Sequence, residues 1–234
     1  MAAQVLSPGE SSYEQALSMI FNGDAAASQP ARIMQPRDRN DVAKVIQEAR
    51  DKKCALRVRS GGHSRFCSTN GALMLDLSVH LNSIVVNGDR VQVQGGAGMG
   101  SVLERLAPSN LMVPTGTHST PGFGLLMMGG LGHLSRSHGL TLDCIETISG
   151  VRADGELFTL SAGGANSEPW RLLRGAALFL AVITDVTLRA QPRNELLSIR
   201  QLMPLGSLER ALMLAETCTR EVSCSFVLGI PPGQ

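Results

Sequence analysis

The 234-residue chain has no run of about 18 consecutive apolar residues, the length a membrane-spanning helix needs. Its N-terminus, MAAQVLSPGESSYEQ, lacks a basic segment followed by an apolar one, so no secretory leader is expected and a cytoplasmic location is. No acidic or basic block is present. The 21 Lys and Arg offset 20 Asp and Glu to a net charge of +1, so neither a nucleic-acid nor a membrane-surface partner is expected. Cysteine is sparse. The five residues Cys54, Cys67, Cys144, Cys218 and Cys224 are odd in number, irregularly spaced and free of any C-x-x-C pair, which points to reduced thiols rather than a disulfide framework. Internal repeats and low-complexity linkers are also missing. Glycine, by contrast, is abundant: 25 copies, clustered at 60–64, 95–100, 116–132 and 163–175. With 43% apolar and 18% charged residues the chain is globular and long enough to bury a substantial core.

Periodicity predicts the elements. SSYEQALSMIF (11–21) reads as a short amphipathic helix and ARIMQP as a strand stopped by proline. RNDVAKVIQEARDKK predicts a helix capped by Asn40, with Val42, Val45, Ile46 and Ala49 on one face. ALRVR (55–59) predicts the next strand, completing a βαβ unit. Strands follow at 73–78, 83–87 and 90–94, the last two joined by a tight NGD turn. A helix is expected at 100–108 and a glycine-rich loop over 111–140, with a short helix near 125–131. A second hairpin (144–161) turns at Asp154-Gly155. A helical turn or two over EPWRLLRG precedes a strong strand at 180–190. The tail predicts strand 196–203, helix 206–220 and strand 224–229, with Pro192 and Arg193 at the boundary.

Two glycine-rich turns follow strands: RSGGHS after 55–59 and PTGTHSTPGFG after 112–114. Glycine lets the backbone turn sharply and approach a ligand, and successive N–H groups in such turns form an anion-binding concavity. The hydroxyls of Ser60, Ser64, Thr115 and Thr117 add donors suited to a diphosphate. A nicotinamide-type fingerprint is not met, because GAGMG (96–100) has the wrong spacing and GFGLLM lacks the third glycine. A single glycine loop can equally be plain turn geometry. His63, behind Gly61 and Gly62, can be a structural hydrogen-bonder. Pairing it with Cys67, or His118 with His133 and His138, matches no recurring zinc pattern, so no metal is expected. Cys54 and Cys67 read as packing thiols, and Arg136 as a solvated or backbone-capping residue.

Taken in order, RVRSGGHS, LMLDLS, VPTGTHSTPGFG, GGLGHLSRSHGLTLD and LLRGA…VITDVTLR resemble the FAD-linked oxidases of the vanillyl-alcohol-oxidase superfamily. The nearest branch is the berberine-bridge-enzyme-like one, and the resemblance spans about residues 30 to 190. It implies an α+β fold: a PCMH-type FAD-binding domain of two α/β subdomains over 28–192, then the start of a substrate-binding domain over 193–234. It implies FAD as cofactor and His63 as its covalent attachment site. Arg59, Ser60, Gly61, Gly62 and Ser64 would flank the diphosphate. Further contacts would come from Thr115, Gly116, Thr117, His118, Thr120 and Gly122, from Gly129, Gly130 and Gly132, and from backbone at Val182 and Ile183. Some members carry a second, cysteinyl link in the PTG loop. His118 stands at that place here, which implies a single histidyl link. Met128, Cys144 and Ala181 replace residues usual in the family.

The implied activity is hydride transfer from a small alcohol, sugar or related substrate to the flavin. The family's catalytic base lies in the later part of the substrate domain, beyond Gln234. Two alternatives stay open: a flavin-binding module without turnover, and a non-enzymatic nucleotide- or phosphate-binding protein. An apolar sheet face begun at 196–203 would lack partners, which leaves room for a homo-oligomer or a partner chain covering it.

Overall fold

A computed structural model describes residues 3–162 and 168–229. In chain order the elements are β1 (Gln4–Leu6), α1 (Ser11–Ser18), α2 (Gly23–Ala26), β2 (Arg32–Gln35), α3 (Arg39–Asp51), β3 (Leu56–Arg59) and β4 (Leu73–Asp76). Then come β5 (Ile84–Asn87), β6 (Arg90–Gln94), α4 (Met99–Leu106), β7 (Leu111–Met112), α5 (Phe123–Met127) and α6 (Ser135–His138). The last are β8 (Ile145–Arg152), β9 (Leu157–Ser161), α7 (Glu168–Leu180), β10 (Ala181–Arg189), β11 (Gln191–Pro192) and α8 (Leu208–Thr217). Part of the fourth glycine cluster, 163–167, lies outside the described residues.

The first sheet has the order β1-β2-β4-β3. β2, β4 and β3 are parallel, and β1 joins antiparallel. The expected strand–helix–strand unit is therefore present but opened, because β4 inserts between β2 and β3. Every residue of β4 is buried, as a central parallel strand covered on both faces requires. α3 covers this sheet through Val42, Val45, Ile46 and Ala49, all buried as the spacing predicts. Its cap is Asp38 rather than Asn40: the Asp38 carboxylate accepts from the Asp41 N–H at 2.8 Å, the three-residue reach of an N-cap.

The second sheet is antiparallel, in the order β5-β6-β10-β8-β9. β5 and β6 form the first hairpin, with Val91 and Val93 fully buried and Gln92 exposed between them. β8 and β9 form the second, turning through Gly155. α4, α5 and α7 pack on this sheet around a core that includes Val102, Leu126, Ile148 and Trp170. A smaller cluster ties the two sheets together: Leu75 and Leu77 from the first, α3's Val42 and Ile46, and Val151 and Val182 from the second.

The tail departs from expectation. Segments 196–203 and 224–229 are not strands; among the described residues beyond β11 only α8 and one preceding 3-10 turn (Leu205–Ser207) are regular. A strand's N–H and C=O groups need a neighbouring strand, and no partner strand is described for them. The anticipated exposed sheet face is thus an irregular segment plus one helix, with Leu197 at 89% and Leu202 at 91% exposure and no buried residue on α8. Arg136 anchors the tail by donating to the carbonyls of Cys218 at 2.9 Å and Val222 at 3.0 Å, so it is the backbone-capping residue its context suggested. Among the described residues no helix is long and apolar enough to cross a membrane.

Candidate functional site

The two hydroxyl-flanked glycine turns meet. Gly61, one residue beyond the end of the β3 loop's Ser60, lies against Gly122, which precedes α5. A Cβ on Gly61 would stand 2.5 Å from the Gly122 nitrogen and 2.7 Å from the Thr120 carbonyl oxygen. Only a residue without Cβ permits so close an approach of two backbones. Two hydrogen bonds fasten the junction. The Phe123 N–H donates to Ser60 Oγ at 2.9 Å, and His63 Nε2 lies 2.9 Å from Thr120 Oγ1. Beside it, Gly62 adopts φ +72° and its carbonyl accepts from the Asn22 N–H at 3.0 Å.

Among the described residues no group accepts from the N–H groups of Gly61, Gly62, His63 or Ser64. A run of unpaired amides on a glycine turn is a ready anion receptor. The loop 116–120 presents its own unpaired amides, with Thr117, His118 and Thr120 exposed. Thr115 is buried, and its hydroxyl donates to the Gly116 carbonyl at 3.2 Å. Behind it, a Cβ on Gly132 would run into the Thr115 carbonyl. The Thr141 hydroxyl donates to the carbonyls of both Pro114 (2.6 Å) and Gly130 (3.1 Å), so 129–132 backs the second loop.

Val182 and Ile183 stand in β10, both buried, and a segment that sequence reading did not include links Ile183 to the second loop. The Gly95 N–H donates to the Thr184 carbonyl at 2.7 Å, and a Cβ on Gly95 would stand 2.6 Å from the Ile183 carbonyl oxygen. At its other end this segment binds the second loop, Gly100 N–H to the Ser119 carbonyl at 2.8 Å. The glycine cluster at 95–100 is therefore a wall between β10 and the 115–122 loop. Its failure to match a nicotinamide fingerprint had left it without a role.

Arg59 is 5% exposed, and its guanidinium is engaged with protein groups. Nη1 donates to Asp76 Oδ2 and to the Ala16 carbonyl, both at 3.1 Å, and Nη2 to the Met19 carbonyl at 2.9 Å. Asp76, fully buried, also accepts from Gln35 and from the Ser78 N–H and hydroxyl. This network fixes the end of β3 from behind the loop. It also fastens the α1–α2 connection, whose Phe21 stacks on His63 with centroids 4.1 Å apart and planes 20° apart. No glycine or motif marks Phe21 in the sequence; an exposed aromatic just ahead of Asn22-Gly23 was the only available signal.

Burial of the His63 imidazole, and secondarily the neighbouring His118, pulls its protonation below the ordinary histidine range. Burial pushes the thiols of Cys67 and Cys144 up, in keeping with packing roles. Met128 is 52% exposed and so does not fill the loop it belongs to.

Comparison with known proteins agrees with this geometry. The chain is 32% identical over 176 residues to the FAD-dependent monooxygenase FUP4 of Fusarium proliferatum, covering 73% of this chain and 34% of that protein. The crystal structure of 6-hydroxy-D-nicotine oxidase from Arthrobacter nicotinovorans superposes with a TM-score of 0.76 at 31% identity, over 81% of this chain and 42% of that one. Glucooligosaccharide oxidase from Acremonium strictum, described as carrying a 6-S-cysteinyl, 8α-N1-histidyl FAD, gives a TM-score of 0.70 at 26% identity, over 80% and 40%. The chain thus spans well under half the length of these proteins. Residues 30–161, more than half of the chain, match the family described as "FAD binding domain", and the chain belongs to that family.

Proposed function

We propose that the chain holds FAD across the junction of the two glycine turns, bonds it to His63, and is the flavin-bearing part of an oxidoreductase acting on a small alcohol, sugar or related substrate. The residues fit the cofactor. Four unpaired amides with flanking hydroxyls suit a diphosphate, and the Gly61–Gly122 contact leaves the ground beside them free of side chains. When bound, FAD supplies a two-electron acceptor for hydride. The protein's own groups do the rest. Ser60, Gly61, Gly62 and Ser64 hold the diphosphate. Thr115, Gly116, Thr117, His118, Thr120 and Gly122 line the opposite side, backed by Gly129, Gly130 and Gly132. Val182 and Ile183 contribute backbone. Arg59 braces the loop from behind, its guanidinium occupied by Asp76 and two carbonyls. His63, kept neutral, is the nucleophile for attachment. In this reading 28–192 is the FAD-binding domain and 193–234 the beginning of the substrate-binding one.

The observation that carries the reading is the position of His63 at the seam of the two turns, beside the unpaired amides. Incubating the purified chain with FAD tests it: intact mass is expected to rise by one flavin, with yellow colour surviving acid precipitation. Protein that stays colourless after FAD supplementation refutes it. The alternative reading is a module that binds flavin without turnover. Anaerobic mixing with a panel of sugars and alcohols separates the two, since only the enzyme bleaches its flavin.

A further inference from the structure

His63 is held on three sides. Phe21 lies flat against the ring, Thr120 Oγ1 engages Nε2, and the Asn22 N–H pins the preceding carbonyl, that of Gly62. Two of the three come from the α1–α2 connection, which lies ahead of the matched span 30–161. Arg59 ties that connection down by bonding the carbonyls of Ala16 and Met19. Among the described residues nothing bonds to Nδ1 of His63. One ring nitrogen is thus engaged and the other is open.

We propose that Phe21 and Thr120 are positioning residues for flavin attachment: Phe21 fixes the plane of the His63 ring, and the Thr120 hydroxyl holds the proton on Nε2, so that Nδ1 carries the lone pair that attacks. The inference rests on His63 being the attachment site. A threonine hydroxyl pairs with either form of Nε2; where it accepts from Nε2–H, the lone pair is left on Nδ1. The bond from Nδ1 to the 8α carbon forms, one C–H bond of that methyl breaks, and the Nε2 proton leaves past the Thr120 oxygen. Two electrons and two protons end on the flavin ring, from which dioxygen removes them as hydrogen peroxide. The ring plane matters because the lone pair lies in it. A ring free to rotate presents Nδ1 to the methyl carbon only part of the time.

The test uses the full 234-residue chain and FAD, following covalent attachment by intact mass and in-gel flavin fluorescence. Non-covalent FAD affinity and thermal melting are measured alongside. Thr120→Val is expected to attach about tenfold more slowly at saturating FAD, the factor one lost hydrogen bond allows. Thr120→Ser is expected to restore the rate. Phe21→Leu is expected to slow attachment roughly three- to tenfold, the range of one aromatic stack, and Phe21→Tyr to restore it. NMR of the flavin peptide is expected to show the link at Nδ1. A link at Nε2, or both slow-predicted variants attaching at the wild-type rate, overturns the inference while leaving the attachment site standing. A wild-type chain that never gains the flavin mass overturns the underlying reading and this inference together.

Discussion

Replacing Gly61 by alanine tests the seam directly. The new Cβ would lie 2.5 Å from one backbone nitrogen and 2.7 Å from one backbone oxygen, where ordinary contacts need more than 3.4 Å. Neither neighbour is a flexible side chain, so the two loops must part by the better part of an ångström. Overpacking of this kind costs about 1–3 kcal/mol. For a chain of this size that is a fall in melting temperature of roughly 2–12 °C. Parting the loops also stretches the 2.9 Å contacts His63–Thr120 and Ser60–Phe123, so covalent attachment should slow. Gly23→Ala is the control, since a Cβ there meets nothing within 4 Å. Gly122→Ala jams the same contact from the other side, against the Gly61 nitrogen at 2.6 Å. The double variant should therefore lose less than the sum of the two. Differential scanning calorimetry, with FAD attachment read by mass, measures both effects. If Gly61→Ala melts with wild type and gains flavin as fast, the two turns are not locked together and the reasoning fails.

Four further outcomes are expected. His63→Ala should retain reversible FAD binding but gain no covalent flavin mass, whereas unchanged mass gain would place the link elsewhere. The fold favours neutral His63, so its folded-state protonation midpoint lies below the free imidazole value; attachment should persist below that value and fail only as pH falls through the lowered midpoint. His118→Gln removes one cause of the lowering and should move that midpoint up, though not to the free value, because burial remains; NMR titration of the ring protons checks it. Asp76→Asn leaves the buried Arg59 guanidinium uncompensated and should destabilise by about 3–5 kcal/mol, as urea unfolding would report. A loss below 1 kcal/mol there would mean the network does not support the loop.

Much of the scaffold was legible because local patterns answer to local physics. The strand expected over RVQVQ is β6, and the spacing of Val42, Val45, Ile46 and Ala49 fixed the buried face of α3. The cap was misplaced by two residues because Asn40 adjoins the apolar pattern, whereas Asp38 is the residue three positions ahead of the N–H it satisfies. The tail strands were misread for a different reason: alternation looks the same in the sequence whether or not a neighbouring strand exists, and 196–203 has none described. Strand order was equally hidden, since nothing in LMLD says that it will separate β2 from β3. Within the site, the glycine turns and His63 were visible from composition and motif. Phe21, Asn22 and the wall at 95–100 were not, because their roles exist only through contacts between distant segments.

The insertion of β4 has a consequence for how the protein is made. The glycine loop at 60–64 belongs to the connection from β3 to β4, so it takes its final course only after a later strand has threaded between two earlier ones. Its counterpart at 115–122 emerges from the ribosome some fifty residues afterwards, following the β5–β6 hairpin. A nascent chain thus contains His63 well before it contains Thr120, the residue its Nε2 meets in the folded protein. A ligand held across both turns would therefore be taken up late, once both segments have been made and brought together.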